Sequence, residues 1–213
     1  MPSVVSICNL ALSNIGKENI SDINEASAEA RACKQFYTHT RDMLLQAYPW
    51  GWAGRTQSLA GVTNDKPNRW AKAYGRPSDC LKVRRITSEQ MADYVPYAEG
   101  QVVAGGFAYS IEGNRIYCNL DPAFLEYTRK VEDVTKFPPL FQDALSWHLS
   151  VRLAMPLTRD PRIRADAFQL ATQTLADAAT SDANEVRTVS DYPAEANEAR
   201  HPNYAVNRAV KYD

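Results

Sequence analysis

Few side chains in the sequence have the type and spacing that catalysis or metal binding requires. The three histidines, His39, His148 and His201, lie far apart, and the four cysteines form no CxxC pair. The phosphate-binding GxxxxGK[ST], zinc-binding HExxH and nucleophile-bearing GxSxG patterns are absent. His148 lies between Trp147 and Leu149 in an apolar run, which favours a core or interface histidine over a catalytic one.

Two pairs of carboxylates are candidates for acid–base chemistry. Glu132 adjoins Asp133, and Glu25 lies about one helical turn before Glu29. Glycoside hydrolases use two carboxylates, but acids on a solvated surface are the more common explanation for such pairs. The residues therefore predict no catalytic site, no metal site and no cofactor. A hydrolase that uses one of these pairs stays as an alternative.

A stretch of positive charge lies between residues 55 and 85. Its basic residues are Arg55, Lys66, Arg69, Lys72, Arg76, Lys82, Arg84 and Arg85. Only Asp65 and Asp79 oppose them within the stretch, and Trp70 and Tyr74 lie among them. Such a stretch is either a contact surface for phosphates or acidic proteins, or a solvated face of strands. The candidates for contact with DNA or a neighbouring subunit are Arg69, Lys72, Arg76, Lys82, Arg84 and Arg85.

Two helices are predicted before residue 50. Ser3 caps the first, whose apolar residues recur at helical spacing as far as Gly16. The second begins at Asn24 or Ser27 and ends at Pro49, because proline has no N–H group and cannot continue a helix. Their short connection predicts that the two helices pack antiparallel.

The pattern changes to short strands after the second helix. Strands are predicted over residues 56–59, 80–86, 109–111, 115–118 and 124–127. Glu112, Gly113 and Asn114 predict a hairpin turn between two of them. Residues 92–106 contain a proline and three glycines and are predicted to form an extended loop.

Helical periodicity returns near residue 138 and stops near residue 184. Pro138 and Pro139 fit the first turn of a third helix, which is apolar on most sides and therefore predicted to be central. Asp160 and Pro161 open a fourth helix. The last thirty residues form a predicted arm that orders against a partner. Its candidate contact residues are Tyr192, Pro193, His201, Tyr204, Val206 and Tyr212.

These elements predict a mainly α fold with inserted β structure (α+β). Its core is a four-helix bundle, with a β-rich insertion between the second and third helices and an extended C-terminal arm. The predicted divisions are residues 1–50 and 135–183 for the bundle, 51–134 for the insertion and 184–213 for the arm. Pro49, Trp50 and Trp52 lie at the first joint, where proline ends the helix and the two indoles are predicted to wedge between bundle and insertion.

The bulk composition is that of an ordinary globular protein. Of 213 residues, 45% are hydrophobic and 23% charged, and the formal net charge of −1 excludes a strongly basic nucleic-acid binder. No apolar run reaches the ~20 residues that span a bilayer, and no secretory signal is recognised, so we expect synthesis in the cytoplasm and no membrane partner. The cysteines are expected to be reduced and buried.

Several short motifs occur in an informative order. They are ALSNIG, SAEARACKQFYTHTRDMLLQAYPWGWA, YGRPSDCL, YSIEGNRIYCN and LEYTRKVEDVTKFPPLFQDALSWHLSVRLAMPLTRD. Across roughly residues 5 to 180 the set resembles the head-to-tail adaptor family of short-tailed bacteriophages, of the tail tubular protein A type. The family's Leu…Pro-Trp-x-x-Ala corner corresponds to residues 45–53, and its strand-opening Pro-Ser-Asp to residues 77–79. The resemblance implies that Pro49, Trp50 and Trp52 form the hinge between the helical bundle and the β lobe.

The resemblance implies a structural virion protein without enzymatic activity. Such proteins form a ring, commonly dodecameric, that docks on the portal protein, continues the channel for genomic double-stranded DNA and carries the tail nozzle, a protein of the tail tubular protein B type. This implies a place at the head–tail junction of the virion tail, after assembly in the host cytoplasm. The family's C-terminal segment reaches toward the portal. A virion-associated cell-wall hydrolase and a nucleic-acid-binding module stay as alternatives.

Overall fold

Four α-helices and two antiparallel sheets form a mixed α+β fold in a computed structural model, which describes residues 2–88 and 107–185. The helices are α1 (Val4–Asn14), α2 (Ala28–Ala47), α3 (Pro139–Thr158) and α4 (Pro161–Glu185). The strands are β1 (Gly54–Ser58), β2 (Gly61–Val62), β3 (Lys72–Gly75), β4 (Cys80–Thr87), β5 (Tyr109–Glu112), β6 (Arg115–Cys118) and β7 (Phe124–Arg129). All seven described strands follow α2 and precede α3 in the chain.

The helices begin at capping residues that the sequence predicts. Ser3 Oγ accepts from the Ser6 N–H at 3.0 Å while Ser6 Oγ accepts from the Ser3 N–H at 2.8 Å, so α1 opens with a capping box. Ser27 Oγ accepts from the Ala30 N–H at 3.1 Å, which makes the later of the two predicted starts correct for α2. Pro139 occupies the first turn of α3.

Helix α3 is central and packs against the other three helices. The apolar run of its sequence predicted this position. We expected α1 and α2 to pack on each other, but each packs mainly on α3, since α3 carries buried residues on several sides. Small polar residues allow α1 and α3 to approach closely. Ser150 Oγ donates to the Ala11 carbonyl at 3.0 Å, and Asn14 Nδ2 donates to Ser150 Oγ at 3.2 Å.

The strands form one sheet of order β1–β7–β4 and another of order β2–β3–β6–β5. The predicted hairpin turn between β5 and β6 is confirmed, and Gly113 adopts a φ of 57° there. The register of β4 on β7 shifts between Cys80 and Lys82 and again between Val83 and Arg85, so its apolar residues alternate only in part. Strands β2 and β3 were not predicted. The predicted loop at 92–106 lies outside the described residues.

Two hydrophobic clusters form the core. The first draws on all four helices and on the segment after α2, with Ile7, Leu44, Trp50, Leu149 and Ala178 among its members. The second belongs to the strands and includes Ile86, Ile116, Leu125 and Tyr127. The four cysteines are buried and free, as predicted.

Candidate functional site

A tryptophan corner, residues 48–53, follows directly after α2. The helix ends at Ala47, and Tyr48 is already extended. Trp50 is only 1% exposed, and its Nε1 donates to the Leu44 carbonyl at 2.9 Å. That carbonyl is one of the last four in α2 and has no helical partner, so the indole satisfies it. The corner thus terminates the helix with a buried side chain as well as with the predicted proline.

The rings of the corner pack against the start of α3. The centroid of Trp52 lies 4.8 Å from that of Phe141 and 5.6 Å from that of Phe137. Trp50 and Phe141 are 5.1 Å apart at an interplanar angle of 80°. Such edge-to-face pairs contribute about 0.5–1.5 kcal/mol each beyond burial. The aromatic cluster therefore fixes the position of α3 relative to the end of α2.

Basic residues of β4 bind the carbonyl groups around the corner. Arg84 Nη2 donates to the Trp50 carbonyl at 2.6 Å, and its Nε donates to Thr128 Oγ1 at 3.0 Å. Lys82 Nζ donates to the Gln46 carbonyl at 3.0 Å. Burial lowers the pKa of the Arg84 guanidinium. Two residues predicted to contact DNA or a neighbouring subunit therefore hold β4 to the end of α2.

Helix α4 also reaches the corner. The Gly51 N–H donates to Asp182 Oδ2 at 2.8 Å, in the last turns of α4. The corner thus has contacts with α2, α3, α4 and β4. Pro49 is exposed, whereas Trp50 is buried and Trp52 half-buried. The three predicted hinge residues lie together at this junction, and motion of the backbone there stays a prediction.

Most other residues of the basic stretch form ion pairs within the chain. Lys72 Nζ lies 2.5 Å from Asp121 Oδ2, and Arg85 Nε lies 2.5 Å from Glu126 Oε2. Lys66 pairs with Glu112. These pairs lower the positive charge that the stretch presents to a partner. Exposed pairs of this kind stabilise a fold by about 0–1 kcal/mol at most.

The remaining candidates make local contacts. Arg76 Nη2 donates to the carbonyls of Cys80 and Leu81 at 2.9 and 3.0 Å. Arg69 lies 6.0 Å from the Trp70 ring and has no carboxylate within 4.0 Å among the described residues. The structure therefore places Lys72 on β3, three candidates on β4 and the other two in connecting segments. Arg69 is the candidate whose charge meets no acceptor in the described part of the chain.

Sequence reasoning missed the acids that neutralise this stretch. Glu112, Asp121 and Glu126 lie more than thirty residues further along the chain and reach the basic side chains through strand pairing and folding. Counting only acids inside residues 55–85 overestimated the local charge. The signal was available in part, since an acidic residue in a strand is a common cross-strand partner for a basic one.

Three of the four candidate carboxylates, Glu25, Glu132 and Asp133, have local hydrogen-bond donors. The Lys130 ammonium lowers the pKa of Glu132, with Nζ 3.0 Å from Oε1. The Thr135 hydroxyl and N–H lower the pKa of Asp133. Hydrogen bonds from Ser27, and from the N–H groups of two preceding residues, lower the pKa of Glu25. A general acid needs a raised pKa, so none of these three groups suits that role.

The predicted portal-docking residues of the arm, Tyr192, Pro193, His201, Tyr204, Val206 and Tyr212, lie outside the described residues. Helix α4 continues to Glu185, two residues past the predicted end of the bundle.

Within residues 2–88 and 107–185, no three His, Cys, Asp or Glu side chains are grouped so that they could hold a metal ion. None of the helices described in those ranges has the length and apolar character to cross a bilayer. Neither a scan of the chain against protein-family models nor a search of curated proteins finds a match.

Proposed function

We propose that the chain is a head-to-tail adaptor of the tail tubular protein A type. In this role it is a non-enzymatic subunit of a ring, dodecameric in the family it resembles. The ring docks on the portal protein, continues the channel for double-stranded DNA and carries the tail nozzle. The proposal rests on the resemblance of ordered motifs and on what two of those motifs do in the fold.

The observation that carries the proposal is the tryptophan corner. The leucine, tryptophan and alanine of the family's corner motif correspond to Leu45, Trp50 and Ala53, whose exposures are 0%, 1% and 0%. Two of these positions also bind the strands through their backbone: the Trp50 carbonyl accepts from Arg84 of β4, and the Ala53 carbonyl accepts from the Arg129 N–H of β7. A motif matched by chance would have no reason to fall on buried residues that bind helices to strands.

The second matched motif supports the same conclusion. Residues 77–79 come directly before β4, which begins at Cys80. Asp79 Oδ1 accepts from the Tyr127 hydroxyl at 2.9 Å, and the Asp79 carbonyl accepts from the Lys130 N–H at 2.7 Å. Asp79 thus attaches the start of β4 to β7. This is the strand-opening position that the resemblance gives to the motif.

We propose for the finer architecture a four-helix bundle interrupted by a β-rich lobe. All described strands lie between α2 and α3 in the chain, which supports this division. The corner then acts as the hinge between the two parts. A ring requires two different complementary faces on each subunit. Among the basic residues of the lobe, Arg69 meets no carboxylate in the described part of the chain, so its charge is free for such a contact with a neighbouring subunit.

The proposal is tested by mixing the purified protein with portal rings from the same phage. The full chain should add a second ring to the portal in negative-stain images and should co-sediment with it. A truncation after Glu185 keeps α4 whole and should leave the far-ultraviolet circular dichroism of the helices intact. Without the arm, portal binding should be lost, because that segment supplies the docking contacts.

Two results would contradict the proposal at different levels. Normal portal binding by the truncated chain would show that the arm is not the docking segment. Failure of the full, folded chain to bind portal rings would remove the adaptor function itself. Binding of the nozzle protein to the adaptor–portal complex, but not to portals alone, is the expected next step of assembly.

A further inference from the structure

The core of the helices contains two thiol groups that contact each other. Cys8 lies on α1 and Cys33 lies on α2, and both residues are 0% exposed within the same hydrophobic cluster. The Cys33 side chain is the main hydrogen-bond partner of the Cys8 thiol, so the two sulfur atoms are neighbours. The fold thus joins two thiols that are distant in the sequence into one thiol pair.

The other two cysteines have different partners. Cys80 and Cys118 belong to the hydrophobic cluster of the strands. The Cys80 thiol hydrogen-bonds to Arg76, and the Cys118 Sγ lies 4.0 Å from the Leu120 carbonyl oxygen. Neither thiol has a second cysteine as a hydrogen-bond partner in the described part of the chain. Contact between two thiols is therefore a property of the pair between α1 and α2.

The two thiols of the pair differ in acidity. Their mutual hydrogen bond, together with burial, raises the pKa of the Cys8 thiol, and the same bond lowers the pKa of Cys33. Cys8 thus keeps its proton and donates it to the Cys33 sulfur. Because the thiolate is the form that attacks an oxidant or another sulfur atom, Cys33 is the group that reacts first and Cys8 is the group that completes the bond.

We propose that Cys8 and Cys33 form a disulfide under oxidising conditions and so constitute a redox-sensitive lock between α1 and α2. In the closing step two S–H bonds break and one S–S bond forms, with release of two protons and two electrons. Molecular oxygen is the oxidant and takes up both protons and both electrons to become hydrogen peroxide. The bond closes a loop over residues 8–33 and stabilises the fold by restricting the unfolded chain.

The occasion for oxidation rests on the proposed function, whereas the thiol chemistry does not. Glutathione and thioredoxin keep such thiols reduced in the cytoplasm. A virion that leaves its host enters an oxidising medium, in which disulfides form and persist. Purified protein is sufficient to test the disulfide, so its failure to form would overturn the lock and leave the adaptor function standing. Failure to bind portal rings would have the opposite effect.

The test oxidises the folded full chain with diamide, which accepts two protons and two electrons from a pair of thiols and reaches buried groups through local opening. Titration in denaturant should then find two free thiols in place of the four of the reduced chain. Trypsin cleaves after lysine and arginine, so mass spectrometry without reductant should find residues 1–17 joined to residues 32–34. The melting temperature should rise by about 5–10 °C and return to its former value with dithiothreitol.

Two variants distinguish the thiol pair from general oxidation. The double variant Cys80→Ala and Cys118→Ala retains the pair and should still form the crosslink. Cys33→Ala lacks the attacking thiol and should lose both the crosslink and the rise in melting temperature on oxidation, measured against its own reduced form. Four free thiols in the oxidised wild type, a bond from the pair to either strand cysteine, crosslinks only between chains, or a crosslinked chain that melts like the reduced one would overturn the proposal.

Discussion

Single side chains join parts of this protein that are distant in the sequence. Arg84 of β4 bonds to the backbone at Trp50 and to Thr128 of β7. Trp50 in turn satisfies a carbonyl of α2 and packs on Phe141 of α3. A change at either residue therefore disturbs helices and strands together. This is why we assign the corner a structural role, and why Trp50 could not be replaced by another apolar residue without loss of a hydrogen bond.

His148 gives the fold a pH-dependent contribution. It lies in α3, and its Nε2 is buried without a partner among the described residues. Burial lowers the pKa of the imidazole, and the nearby Arg152 charge acts in the same direction. The unfolded chain therefore binds a proton more readily than the folded chain. Stability from this group is complete above the unfolded pKa, about 6.5, and is lost as the pH falls through the lower folded value.

We predict that the urea midpoint of the wild-type protein falls between pH 7 and pH 5.5. The fall should be clearly smaller in His148→Gln, which cannot become charged, although the substitution itself lowers the midpoint at pH 7. His39, an exposed histidine, provides the control, and His39→Gln should retain the wild-type pH dependence. An identical pH dependence in His148→Gln and wild type would show that another group is responsible.

At the scale of elements, helix ends were predictable because capping is a local interaction. Asp160 Oδ1 accepts from the Arg162 N–H at 2.8 Å, and the chain reverses at Arg159, whose φ is 56°. Both features lie within four residues of each other in the sequence. The carboxylate also lies at the positive end of the α4 dipole. These contacts require no knowledge of the remaining fold.

Loss of this cap should destabilise the protein measurably. Asp160→Ala removes the acceptor for the Arg162 N–H and the favourable charge at the start of α4, and should cost about 1 kcal/mol. Chemical denaturation measures this difference. Asp166→Ala removes a carboxylate on an exposed position of the same helix, and should change the free energy of unfolding by less than about 0.5 kcal/mol. Equal effects of the two substitutions would contradict a capping role for Asp160.

Strands were harder to predict than helices because their partners are distant in the sequence. Strand β3 contains Lys72, Ala73, Tyr74 and Gly75, too few apolar residues for an alternating pattern. Pairing with β6 makes it a strand, and that pairing spans more than forty residues. The bulged register of β4 likewise depends on β7. The hydrogen bond from Trp50 Nε1 to the Leu44 carbonyl joins residues that are close in the sequence, yet it was not predicted. Pro49 was by itself a sufficient reason for the helix to end.

At the scale of the whole molecule, basic side chains lie close to acidic side chains that are distant from them in the sequence. The formal net charge is −1, and the basic residues between 55 and 85 meet acids from the later strands. Glu126 alone lies 2.5 Å from Arg85 and 3.9 Å from Arg84. Under the proposed function, a balanced charge would favour passage of the genome, because tight phosphate contacts would retain DNA in the channel.

This balance predicts weak binding of DNA by the isolated subunit. Fluorescence anisotropy with a labelled duplex at physiological salt should give a Kd near or above about 10⁻⁴ M, with a shallow salt dependence. Glu126→Gln removes the partner of Arg85 and should make binding a few-fold tighter. It should also steepen the slope of log K against log salt by about one, because one additional phosphate contact becomes available.

A matched variant tests whether DNA binding depends on where the negative charge is removed or only on the net charge of the protein. Glu18→Gln changes the net charge equally, at an exposed residue after α1 that is remote in sequence from the basic stretch. It should leave both affinity and salt dependence near the wild-type values, since counterion release depends on the cations that touch phosphate and not on the total charge. If Glu18→Gln matched Glu126→Gln, pairing would not control DNA binding. If the wild type already bound tightly with a steep slope, the basic stretch would act as a DNA-binding surface and the neutral-channel interpretation would be wrong.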